Sequence, residues 1–140
     1  MFWLTENPIQ TQDALNAIAH PNAGANLLFL GTTRQWTGEI ETRELKYECY
    51  RDMALKQMQR LGAEACERWS LLRVCIIHRL GFVPVGETSM VVAVSSPHRE
   101  AAFEAGQWLI DQVKQVVPVW KQEVGPDGRT EWVHPEQQEA

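Results

Sequence analysis

A β-branched run from Ser89 to Val94 passes through Ser96-Pro97 directly into a long amphipathic stretch that ends at Pro118. The first segment suits a buried, extended strand. In the second, Ala102, Phe103, Gly106, Leu109, Ile110, Val113 and Val117 recur at three- and four-residue spacing and so line one face of a helix. Serine can accept a bond from a free backbone N–H, and proline loses nothing at a first helical position, so the helix is expected to open at Ser96-Pro97. A strand that hands over to a one-faced helix must lay that helix back on a sheet, which restricts the chain to layered architectures.

The same change of spacing recurs along the chain. Ala14, Leu15 and Ile18 give a short first helix after Pro8 and Thr11, closed by Pro21, Asn22 and Gly24. Ala25 to Thr33 reads as a buried strand, and Leu45, Tyr47 and Cys49 alternate as a strand does. Between them, Gln35 to Thr42 has no period and is expected to be a mobile surface loop. From Asp52, the stripe Ala54, Met58, Leu61, Ala65 and Trp69 gives a second long helix. Leu72 to Ile77 forms a strand joined to Ser89–Val94 through Gly81, Pro84 and Gly86. Val119 to Val124, the turn Gly125-Pro126-Asp127-Gly128 and Arg129 to Val133 make a terminal hairpin. The order β-α-β-β-α-β-β-α-β-β describes an α+β fold, with about three helices covering a mixed sheet.

At 140 residues the chain suits one domain, 1–140, with a tail over 134–140, and it can bury a core without staples. No apolar run approaches the ~20 residues that span a bilayer, and the N-terminus has no signal pattern, so a cytoplasmic protein without a membrane partner is expected. Three cysteines, Cys49, Cys66 and Cys75, with no C-x-x-C pair, argue against a disulfide framework and against a metal site. The net charge of −5 opposes nucleic-acid binding, so any anion site must be a local cluster of cations.

The candidate cations are few. His98 and Arg99 sit where a helix N-terminus is already partly positive, an arrangement that an anion bound at the free N–H groups would stabilise. Ordinary solvent-facing charges are the competing reading. Lys114, in the last turn of that helix, is favoured by the dipole without any function. Lys121 follows Trp120 on a strand, where it could equally protect a sheet edge. Arg34 follows a strand end, with Glu39 and Glu41 nearby as possible surface partners. His78 ends another strand and reads as a structural hydrogen bonder, outside the site. There is no G-x-S-x-G elbow, H-E-x-x-H helix, phosphate loop or G-x-G-x-x-G turn, and no cysteine has a sequence-adjacent histidine.

Five strings together resemble one family: F-L-G-T-T-R (Phe29 to Arg34), H-R-L-G (His78 to Gly81), V-P-V-G-E (Val83 to Glu87), S-S-P-H-R-E-A-A-F-E-A-G (Ser95 to Gly106) and P-V-W-K-Q-E (Pro118 to Glu123). The chain from about Ala25 to Val133 is similar to the large subunit of molybdopterin synthase, the MoaE family. The resemblance implies an α/β hammerhead-type fold and a homodimer with a small ubiquitin-like sulfur-carrier subunit (MoaD family) at each end, a 2+2 heterotetramer. It also implies sulfur transfer from the carrier's C-terminal thiocarboxylate to cyclic pyranopterin monophosphate, forming the dithiolene of molybdenum cofactor biosynthesis, with no cofactor of its own.

Position by position, the resemblance assigns Thr32, Thr33, Arg34, His98, Arg99, Lys114, Lys121, Gln122 and Glu123 to substrate binding, and Lys114 and Lys121 to catalysis. Lys114 is the expected general acid, base or acyl acceptor, with an amine pKa lowered by crowded cations, and Lys121 supports it. Some members carry further cations where this chain has Thr32, Gln122, Pro135 and Glu136. Trp36 is either a partner-contact anchor or buried beneath its own loop. The competing functions are a non-enzymatic scaffold for a ubiquitin-like tail and a phosphate-ester hydrolase, the latter lacking paired carboxylates or metal ligands to activate water.

Overall fold

The structure, a computed structural model, describes residues 1–133. In chain order the elements are β1 (Phe2–Thr5), α1 (Thr11–Ile18), β2 (Ala25–Thr32), β3 (Trp36–Thr37), β4 (Ile40–Glu41), β5 (Glu44–Cys49), α2 (Arg51–Trp69), β6 (Arg73–Arg79), β7 (Gly81–Pro84), β8 (Thr88–Ser96), α3 (Arg99–Val116), β9 (Val119–Val124) and β10 (Thr130–Val133). The tail expected over 134–140, with Pro135 and Glu136, lies outside the described residues.

The strands form two four-stranded sheets, ordered β1-β6-β8-β2 and β10-β9-β5-β7, plus the β3-β4 ribbon. The first sheet is mixed, since β1 runs parallel to β6 while the β6-β8 and β8-β2 pairs are antiparallel. Its central strands are buried on both faces by strand alternation. Val74, Ile76, Met90, Val92 and Val94 turn toward α2 and α3, whereas Cys75, Ile77, Val91 and Ala93 turn toward α1. Leu45, Tyr47, Leu80 and Val83 form a separate small core on the second sheet.

Three expectations change. The helix after β8 begins at Arg99, with His98 as its N-cap and no side-chain cap bond, because Ser95 and Ser96 extend the ladder opposite Asn26 and Ala25. Pairing two more residues on a buried strand outweighs a capping bond there. The loop over 35–42 contains the β3-β4 ribbon, drawn together as the Thr42 N–H donates to the Gln35 carbonyl at 2.7 Å. Within the turn-rich connection, β7 forms an extra strand on β5, made possible by Gly81 at φ +78°, a conformation that side chains resist.

The H-R-L-G and V-P-V-G-E strings meet in that connection. Arg79, 7% exposed, donates from Nη1 to Glu87 at 2.8 Å. Thr33 is pinned against the same turn, its N–H donating to the Glu87 carbonyl at 3.1 Å and its hydroxyl to the Val83 carbonyl at 3.2 Å.

Candidate functional site

β2 and β8 keep register from Ala25 opposite Ser96 to Gly31 opposite Met90, then slip, so that Thr32 lies opposite Thr88. Thr33 is buried by its three backbone-directed bonds, including the Gly86 N–H donating to its carbonyl at 2.9 Å. It is thus an anchor whose hydroxyl is already engaged, while Thr32 and Arg34 on either side are exposed. This anchoring fixes the direction in which Arg34 leaves the sheet.

Lys121 lies on β9, between β10 and β5. An interior strand needs no edge protection, so that reading of Lys121 does not apply. It stands opposite Tyr47 on one side and Val133 on the other, and is half-buried. Burial pushes the amine below the ordinary lysine pKa; Glu123 works against this and the Arg34 cation reinforces it. Residues opposite each other in a ladder project from the same face, and alternate residues share a face. Lys121 and Glu123 therefore lie together with Tyr47, and Gln122, opposite Lys46 and Trp132, projects from the other side. Lys114 occupies the last turn of α3 and is partly buried, three residues before the Val117 cap that leads into β9.

His98 and Arg99 are exposed at the far end of the same architecture. Arg34 follows the Thr32 end of β2, whereas His98 follows the Ser96 end of β8, and seven strand steps of about 3.4 Å separate those ends by about 24 Å. Along α3, fifteen residues from Arg99 to Lys114 span about 22 Å. Within one chain, then, Arg34 and Lys121 are brought together, and His98 with Arg99 is not.

His78, set aside at the level of sequence, does join the Lys121 neighbourhood. Its ring is buried, with its centroid 4.9 Å from that of Tyr47 at 65°. Burial holds it far below the ordinary imidazole value, to about 4, opposed by its bond to the Arg79 carbonyl and reinforced by the Lys121 charge. No spacing rule links His78 to Lys121, since Tyr47, on a third strand, is what lies between them.

The thiols are unsuited to nucleophilic attack. Burial raises all three, Cys75 to about 11 and Cys49 and Cys66 in the same direction. Among the described residues, no three His, Cys, Asp or Glu side chains converge as a metal site, and no helix is long and apolar enough to cross a membrane. Trp36 is 51% exposed, so it is not buried beneath its own hairpin.

Against known proteins, the profile of a family described as "MoaE protein" matches residues 4–116. The molybdopterin synthase catalytic subunit of Bacillus subtilis (strain 168) is 42% identical over 132 residues, covering 94% of this chain and 83% of the relative. That of Aspergillus niger is 45% identical over 129 residues, covering 92% and 72%. Among solved structures, molybdopterin synthase from Staphylococcus aureus superposes with a TM-score of 0.88 at 35% identity, covering 94% of this chain and 95% of that one. A complex of subunits 1 and 2 of molybdopterin-converting factor from Helicobacter pylori 26695 shares the fold, with a TM-score of 0.78 at 19% identity. The α+β fold is thus that of the molybdopterin synthase structures, and the chain belongs to the MoaE family.

Proposed function

We propose that this chain is the catalytic subunit of a molybdopterin synthase, which transfers sulfur from the C-terminal thiocarboxylate of a small ubiquitin-like carrier to cyclic pyranopterin monophosphate. The observation that carries the reading is Lys121, an amine held on an interior strand at lowered proton affinity beside Arg34. A cation cluster suits two anionic reactants, a phosphorylated pterin and a thiocarboxylate. Once the thiocarboxylate sulfur has bonded to a pterin carbon, an amine of lowered pKa can take a proton from the water that breaks the acyl–sulfur bond, which releases the carrier as its carboxylate and leaves the sulfur on the pterin. Sulfur arrives on the carrier, which agrees with three thiols whose reactivity burial suppresses. In this assignment Arg34 neutralises the precursor, Lys121 moves the proton, and Lys114 at the α3 terminus faces the incoming tail. Thr32 and Glu123 border the site, Thr33 positions Arg34, and Gln122 serves from the opposite face of β9.

The separation of His98 and Arg99 from Arg34 is reconciled by a second copy. β2 is a sheet edge, and Leu30 and Phe103 beside it are 39% and 61% exposed. A long apolar edge is normally covered. Pairing two β2 edges about a two-fold axis runs them antiparallel and carries the partner copy's His98 and Arg99 toward the end that bears Arg34. A homodimer then builds two equivalent sites, each with cations from both chains. One carrier subunit at each site makes the 2+2 assembly.

The reading is tested by incubating the purified chain with cyclic pyranopterin monophosphate and a thiocarboxylated carrier and following dithiolene product. The native chain should form product, with Lys114→Ala and Lys121→Ala slowed by about 100-fold or more while still binding the carrier. A native chain that binds the carrier and forms no product would replace this reading with that of a scaffold.

A further inference from the structure

His78 is a buried polar residue with one hydrogen bond from its ring to the backbone. Nδ1 lies 2.9 Å from the Arg79 carbonyl oxygen, which can only accept, so Nδ1 carries a proton, while burial and the Lys121 charge disfavour a second one on Nε2. The ring lies at the end of β6, where the chain leaves the ladder for the Gly81 turn, and its burial favours the neutral form. Its ring meets that of Tyr47 at 4.9 Å, and Tyr47 stands directly across β5-β9 from Lys121. Both aromatic residues are nearly inaccessible, 7% and 9% exposed.

Resting on the assignment of Lys121 as the proton-transferring amine, we propose that His78 is a positioning residue for Lys121: with Tyr47 it forms the uncharged aromatic wall that excludes water from the β6 side of the amine. Histidine suits this task because its ring packs like an aromatic hydrocarbon while its Nδ1–H satisfies a carbonyl that a phenyl ring would leave unpaired.

Among the described residues, three further groups flank Lys121. From the segment after β2, Arg34 disfavours the ammonium; from β9 itself, Glu123 favours it; across β10 stands Val133, which carries no charge. Burial is the largest influence on Lys121, and its ladder partner Tyr47 on β5 packs against the His78 ring at the end of β6. The interaction between His78 and Lys121 is also visible from the histidine, whose protonation the lysine charge opposes.

The test is direct titration of Lys121 by NMR in the full-length chain with isotope-labelled lysine, assigned by Lys121→Arg, with no carrier or precursor present. In the native chain the midpoint lies below that of an ordinary lysine. His78→Ala opens the wall and should raise the midpoint by about one unit. His78→Phe rebuilds it and should restore the native value. If His78→Ala does not fold, judged by circular dichroism, His78→Gln takes its place, with the same expected rise. An unchanged midpoint in the folded small variant, or a rise in His78→Phe as large as in His78→Ala, would overturn the proposal. Because this readout needs no turnover, its failure is distinct from a failure of the native chain to make product.

Discussion

Arg34 and His98 lie beyond opposite ends of a single antiparallel strand pair, one after β2 and the other after β8. With about 24 Å of paired strand between those ends, the two side chains cannot hold the same phosphate within one chain. The proposed two-fold pairing of β2 edges would bring them together, and Leu30 and Phe103 are exposed on either side of that edge.

That pairing predicts that Phe103→Glu, which places a carboxylate at the joint, converts the dimer to a monomer with an unchanged circular dichroism spectrum. Sedimentation velocity reads the change. Synthase activity should fall with the dimer, and a variant that stays dimeric would argue for another interface.

The lowered proton affinity of Lys121 predicts a rate of sulfur transfer that rises with pH through a midpoint below the ordinary 10.5 of lysine. The neighbours set the sign of each change. Arg34→Gln removes a cation and should raise the midpoint, while Glu123→Gln removes an anion and should lower it. Initial rates across the alkaline range, with saturating reactants, decide between these directions.

His78 predicts an acid weakness. Its affinity for a proton is lower when folded, about 4, than in the unfolded chain, 6.5, so between those values the unfolded chain takes up a proton that the native one refuses. Stability should therefore be intact above that window and fall as pH drops through it, by about 3 kcal/mol in all. Urea unfolding at about pH 7 and about pH 4.5 measures the loss. His78→Phe should show a shallower dependence, and identical slopes would contradict the assignment.

Glu87 holds the guanidinium of Arg79, a side chain only 9% exposed whose Nε has no partner among the described residues. Removing the carboxylate leaves a largely buried charge poorly compensated. Glu87→Ala should cost roughly 2–3 kcal/mol in denaturant unfolding, and Glu87→Gln less. A neutral effect would mean that the guanidinium reaches water.

Much of this architecture is legible in the residues, for reasons that differ by element. The β8-to-α3 handover is plain because Ser89–Val94 and Ala102–Val117 have different periods on either side of Pro97. The exact start of α3 is not, because it depends on Ser95 and Ser96 finding partners in Asn26 and Ala25, some seventy residues away. The loop over 35–42 hides a ribbon because two-residue strands carry no period. For the site, the strings around Arg34, His98 and Lys121 point to the right family, and family membership makes these residues and Lys114 candidates. The separation of Arg34 from His98 along β2-β8 emerges only when strand order is known. Burial lowers the Lys121 amine on β9, an interior strand, and that position is not revealed by its sequence. His78 is missed for the same reason, since Tyr47 stands between it and Lys121 and sits on a different strand from either.

The most direct measurement is the synthase activity of a one-to-one mixture of Arg34→Ala and His98→Ala chains, refolded or exchanged together, with thiocarboxylated carrier and cyclic pyranopterin monophosphate. Each variant alone has a broken cluster at every site and should be close to inactive. Random pairing gives half heterodimers, each with one intact and one doubly broken site, so product formation should return to about a quarter of the native rate. Heterodimers that form but stay as inactive as either parent would contradict the account and place the working cations within a single chain.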